Sequence, residues 1–140
     1  MRVLWVLVLL AAGSPAFAQF ETDLYDGAGR AAGFIGSDGT IYLWSGRPVA
    51  YLDRYLTNDV HVYGFNGRHL GWFARGVIRD HRGDAACATR DVIRMPQPGP
   101  FKGVREFPPM RQPKEPPPFA PFPTFNWSRD SCERLLRDGF

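Results

Sequence analysis

His61, His69 and His81 are the only histidines of the chain, and metal or acid–base chemistry would have to begin with them. A metal needs convergent ligands. These three stand at unrelated places in the pattern described below, so neither a metal nor another cofactor is expected. Asp80-His81 with Asp84 has the residue types of an acid–base pair. It reads better as the charged end of a hairpin. Ser37 and Ser45 sit in turn signals, not in the G-x-S-x-G context that exposes a nucleophile. The glycine-rich turns lack a phosphate-binding pattern. No catalytic residue is assigned and no enzymatic activity is expected. Trp44, Tyr51, Phe65 and Trp72 are the candidate binding residues. Facing outward, they would stack on sugar rings or peptide side chains. Facing inward, they are core.

Cys87 and Cys132 are the only cysteines, and their chemistry depends on the compartment. Residues 1–18 read as a signal peptide. Arg2 gives the positive end, Val3–Ala12 is an unbroken apolar run, and Ala16-Phe17-Ala18 is a small-x-small cleavage site. The run is short for a bilayer span, which takes about 20 residues, so no transmembrane segment is expected after cleavage. A periplasmic or secreted protein would meet oxidising conditions, which makes one Cys87–Cys132 disulfide the simplest outcome. Two buried thiols are the alternative. There is no C-x-x-C spacing for a redox or metal pair.

Charge excludes little. The formal net charge is +3, and all 17 basic residues except Lys102 and Lys114 are Arg. They are interleaved with Asp and form no basic run, so a solvated mixed surface is expected and a nucleic-acid partner is not. Hydrophobic content of 44% allows a packed core in what is, at 140 residues, one small domain.

These residues must be held by a repeated element. Four copies can be anchored on Gly29, Gly46, Gly67 and Gly83. Five residues before each anchor stand Leu24, Ile41, Val62 and Ile78; four before stand Tyr25, Tyr42, Tyr63 and Arg79. Four after come Gly33, Ala50, Gly71 and Cys87, followed by Phe34, Tyr51, Trp72 and Ala88. Each copy reads as strand, tight turn, strand, with β-branched and aromatic flanks. Asn66-Gly67 suggests a two-residue type I′ turn. Further turn signals at Ser37-Asp38-Gly39 and Ala74-Arg75-Gly76 divide the copies into two double hairpins, bridged by Asp53–Asp59. One hairpin cannot bury its apolar side alone, so the four must share a core.

The segments Ile41-Tyr42-Leu43-Trp44-Ser45-Gly46-Arg47-Pro48-Val49-Ala50-Tyr51 and Val62-Tyr63-Gly64-Phe65-Asn66-Gly67-Arg68-His69-Leu70-Gly71-Trp72-Phe73 resemble the 4-fold beta flower domain of bacterial proteins. The resemblance covers roughly residues 23–89. It implies an all-β fold of four β-hairpins about a pseudo-fourfold axis, and brings no catalytic residues.

All but Pro15 and Pro48 of the 13 prolines lie between Pro96 and Pro123. Proline lacks an N–H and fixes φ, so an extended polyproline-II linker is expected. Phe101, Phe107, Phe119 and Phe122 would lay it partly over the domain; a docking role toward an aromatic groove is the functional alternative. Near the end, Asp130 and Glu133 suggest a capping box, and Cys132, Leu135 and Leu136 form one apolar helical stripe. The expected layout is a leader (1–18), a four-hairpin β domain (19–92), a proline-rich linker (93–124) and a short docked helix (125–140). The expected function is a non-enzymatic structural or interaction module of the cell envelope, its partner an unidentified protein or glycan. Carbohydrate or peptidoglycan binding through the four aromatics is the alternative.

Overall fold

A computed structural model describes residues 20–54 and 58–140. The expected leader and its cleavage site, and the middle of the Asp53–Asp59 bridge, lie outside these residues.

Eight antiparallel strands close into one barrel: β1 (Thr22–Tyr25), β2 (Ala31–Ile35), β3 (Thr40–Leu43), β4 (Pro48–Asp53), β5 (Val60–Gly64), β6 (His69–Ala74), β7 (Val77–Arg79) and β8 (Ala85–Thr89). Neighbours in sequence are neighbours in the barrel, and β8 returns to β1 through Leu24↔Thr89 and Tyr25↔Ala88. The four repeats are therefore four hairpins of a ring without edges, which removes the unpaired strands an open array would expose.

The hairpins share one irregularity. Each register slips by one residue between the positions five and four before the anchor. The extra residue is Ala32, Val49, Leu70 or Ala86, and all four are buried in the core. A bulge of this kind bends the strand and increases its twist, as closing a small barrel requires. Leu24, Ile41, Val62 and Ile78 fill the interior, each opposite a small residue or a cysteine: Gly33, Ala50, Gly71 and Cys87. Large faces small because the lumen is narrow.

The type I′ expectation at Asn66-Gly67 is not met. Gly67 N–H donates to the Gly64 carbonyl and Gly64 N–H to that of Arg68, closing a three-residue loop in which only the glycine has positive φ. Gly29, Gly46 and Gly83 repeat this arrangement. Asn66 can then keep an ordinary φ and use its side chain to accept from Arg68 N. The turn with two consecutive positive-φ residues is Arg75-Gly76, joining β6 to β7.

The helix α1 (Cys132–Arg137) plugs the barrel from the hairpin-turn end, contacting β2, β4 and β8. Cys132, Leu135 and Leu136 enter the core, and the Cys87–Cys132 disulfide is formed. Ser131, not Asp130, is the N-cap, its Oγ accepting from Arg134 N–H at 3.2 Å. Asp138 N–H donates to the Arg134 and Leu135 carbonyls and closes the far end, and Gly139 packs against Gly64 too closely for any Cβ.

The proline-bearing segment forms a belt round the same end. Backbone N–H groups of Gln97, Glu106, Glu115 and Thr124 donate to the carbonyls of Gly29, Gly46, Gly67 and Gly83 at 2.8, 3.0, 2.9 and 3.1 Å. These donors are nine residues apart. The carbonyls of Met95, Val104, Pro113 and Phe122, also nine apart, lie against the same four glycines. The expectation that phenylalanines would lay the segment down is reversed. Phe101, Phe107, Phe119 and Phe122 are fully exposed, and the backbone makes the attachment. A side-chain anchor needs a pocket, whereas the turn glycines leave their carbonyls open to any N–H in register.

Candidate functional site

The outer wall is built of cross-strand pairs, one between each hairpin and the next: Phe34↔Tyr42, Tyr51↔Tyr63, Trp72↔Arg79 and Ala88↔Tyr25. The belt lays cations over the first two. Lys102 Nζ lies 4.7 Å from the Phe34 ring and Arg105 5.5 Å from that of Tyr42. Nine residues on, Arg111 stands 3.9 Å from the Tyr51 ring and Lys114 5.7 Å from that of Tyr63. Such contacts strengthen when water is excluded. Carboxylates hold the cations in place: Lys102 pairs with Glu21 and Asp23, Arg105 with Glu21, and Lys114 with Asp53. Burial acts to raise the Glu21 carboxyl, but Lys102 and Arg105 outweigh it and hold it below the usual range. Burial likewise opposes the charge on Lys102, and Asp23 and Glu21 reverse that and raise it. Burial raises the Tyr51 and Tyr63 hydroxyls, and Tyr63 Oη–H donates to the Glu115 carbonyl at 2.9 Å.

The histidines, unrelated in the repeat, come together at β5, β6 and the fourth turn. His61 Nδ1 lies 3.0 Å from His69 Nε2, and His69 Nδ1 lies 2.9 Å from His81 Nε2. Each contact joins a protonated to a bare nitrogen, so the neutral tautomers run head to tail. Burial, then the neighbouring His81 and His61, push His69 down to about 4. His61 and His69 are buried and His81 is exposed, so the file leads inward from solvent. It is a line, not a ring of ligands, and among the described residues no cluster of three or more His, Cys, Asp or Glu could hold a metal ion.

Asp80 does not face His81. Its Oδ1 accepts the N–H groups of Arg82 and Asp84, and its Oδ2 accepts Ser128 Oγ–H at 2.5 Å. A hollow of ≈ 220 Å³ beside α1 has His69, His81, Asp80 and Ser128 in its wall. Ser128 gives its proton to Asp80 and His69 has both nitrogens engaged with imidazoles, so no serine–histidine pair is assembled.

Of the four aromatics singled out from sequence, Tyr51 and Phe65 form a buried cluster with Tyr63, and Trp72 is buried against His69, with ring centroids 4.7 Å apart. The belt and neighbouring rings cover Tyr51 and Phe65, whereas Trp72, packed against the histidines, also borders an open cleft. Trp44 is half-buried and donates from Nε1 to the Pro100 carbonyl at 2.7 Å. The larger cleft, ≈ 690 Å³, opens over the third pair. Trp72, Val77 and Arg79 form its wall and Ala120, Pro121 and Pro123 its belt side. Trp72 Nε1 is buried with no hydrogen-bond partner among the described residues.

The belt also carries what the sequence reading missed. Apart from Ile93, every large apolar residue from Val92 to Phe125 falls on one third of the positions: Val92, Met95, Phe101, Val104, Phe107, Met110, Phe119, Phe122 and Phe125. All are exposed. Three is the period of a polyproline-II helix, and the sequence itself carries it. The two remaining thirds hold the backbone donors to the turns and the cations over the wall.

Among known proteins, the family model described as 4-fold beta flower protein matches residues 22–136. No curated protein and no solved structure matches the chain.

Proposed function

The chain belongs to the 4-fold beta flower family, and on that footing we propose that it is a non-enzymatic interaction module of the cell envelope, exported by its leader. The observation that carries this reading is the exposed apolar row of the belt. Phe101, Phe107, Phe119, Phe122 and Phe125 are fully exposed and follow the belt from hairpin to hairpin, Phe119, Phe122 and Phe125 standing three residues apart. Large apolar side chains left open in succession mark a protein-interaction surface. The occupant that suits a three-residue apolar repeat is a protein with an aromatic-lined groove, which reads extended proline-rich chain by its side chains. Lys102, Arg105 and Lys114 are turned to the wall and paired there, and Arg111 lies over the Tyr51 ring, so the outer row presents little charge to desolvate.

The test is affinity capture from envelope extract, with cross-links mapped on the retained partner. Capture should require the row and be lost when Phe107, Phe119 and Phe122 are together replaced by Asp, with the barrel's circular dichroism unchanged. A partner retained equally by that variant, or cross-linked elsewhere, would refute the reading. Glycan binding is the second reading, with half-buried Trp44 the least buried of the four hairpin aromatics. It predicts co-sedimentation with purified sacculi that is lost on Trp44→Ala.

A further inference from the structure

The cleft over Trp72 lies where the repeat leaves out a side chain. The belt advances nine residues per hairpin, so Lys102 corresponds to Arg111 and then to Ala120, and Arg105 to Lys114 and then to Pro123. On the first two wall pairs the cations are present, stacked on the rings. On the third, Ala120 and Pro123 stand in their places, and the ≈ 690 Å³ cleft opens there. The wall changes in concert. Arg79 replaces the tyrosine of the other pairs, its Nη1 held by the Gly83 and Thr124 carbonyls at 2.8 Å. Ala74 occupies the position that Asp53, the partner of Lys114, holds one hairpin earlier. The seat has thus lost its belt cation and one of the carboxylates suited to hold it, while keeping a large aromatic.

We propose that this cleft binds a small anion with a flat apolar body, of the aromatic-carboxylate class. Its volume is that of a small-molecule site, about 300–1,000 Å³. Its walls supply Trp72, Phe73 and Val77 for the body. Arg54, Arg75 and Arg79 against Asp59 give the lining a surplus of positive charge, which favours an anion and opposes a cation from another molecule re-entering the seat. The Trp72 indole N–H is itself buried, with no hydrogen-bond partner among the described residues, so its resonance reports on what packs against the ring. This inference is independent of the apolar row, which lies on the belt's opposite face.

The experiment is a titration of the full mature chain with 2-naphthoate, followed by the Trp72 indole N–H resonance and the backbone amides of Phe73 and Val77. These resonances should shift and saturate, whereas 2-naphthylmethylamine at equal concentration leaves them unmoved. Ala120→Arg restores the side chain of the preceding hairpin and should weaken naphthoate binding at least tenfold without changing the thermal midpoint. Arg75→Glu, on the exposed turn, should weaken it similarly and leave the fold intact. Unmoved resonances at millimolar naphthoate, equal response to the amine, or unaltered affinity in both variants would each overturn the proposal.

Discussion

The Glu115 carboxylate accepts the backbone N–H of His69 at 2.6 Å, joining the belt to the first residue of β6. The same residue donates its own N–H to Gly67 and accepts Tyr63 Oη–H through its carbonyl. Three bonds from one belt residue thus hold the third hairpin on both arms.

Glu115→Ala removes only the first of these, because the other two are backbone contacts. It leaves a buried N–H on β6 unpaired, which costs about 1–3 kcal/mol. Urea unfolding should show a lower midpoint with an unchanged slope. A midpoint equal to wild type would mean that water replaces the carboxylate.

Gly67→Ala should be more costly than an ordinary turn substitution. The residue has φ of 85°, and an added Cβ would collide with the Pro113 carbonyl. Positive φ alone costs about 1 kcal/mol or more for a residue with a Cβ, and the belt must also shift. Hydrogen exchange should then speed up at Glu115 N–H, a response absent if turn and belt are uncoupled.

The Cys87–Cys132 bond ties the helical plug to β8 across a sequence separation of 45. Loop-closure entropy for that span is on the order of 4 kcal/mol. Thermal unfolding with and without reductant should differ accordingly. The intact mass should rise by about 2 Da on reduction. An unchanged mass would show that the thiols are not joined in the isolated protein.

Acid should weaken the fold in the window set by His69. Its folded value of about 4 lies below the ordinary value of 6.5. Between those limits the unfolded chain binds the extra proton, so stability present above about pH 6.5 is lost as pH falls toward 4. The loss is on the order of 3 kcal/mol. Glu21, also held low, loses its pairing with Lys102 and Arg105 only as pH falls through its own depressed value, so belt release comes later than the loss due to His69. Urea midpoints measured at half-unit pH steps would reveal the two stages. His69→Gln should flatten the first and leave the second.

The sequence by itself determined whatever depends on a residue and its near neighbours. The four turn glycines mark the hairpins because positive φ is a single-residue property, and each does have positive φ. The apolar stripe Cys132, Leu135 and Leu136 marked the plug because helical spacing is local, and two cysteines in the chain could be paired by count. Only the tertiary structure decided the rest. Barrel closure through Tyr25↔Ala88 joins the two ends of the repeat and has no local signal. The bulge turned the expected two-residue loop at Asn66-Gly67 into a three-residue one, since register belongs to the strand pair and not to the turn alone. His61, His69 and His81 share no repeat position, yet cross-strand pairing and the slip at Val62/Tyr63 line them up. The vacant seat over Trp72 depends on two chain segments in fixed register, the belt counting by nine against hairpins that count unevenly, and that register exists only once backbone donors 97 to 124 have found the turn carbonyls.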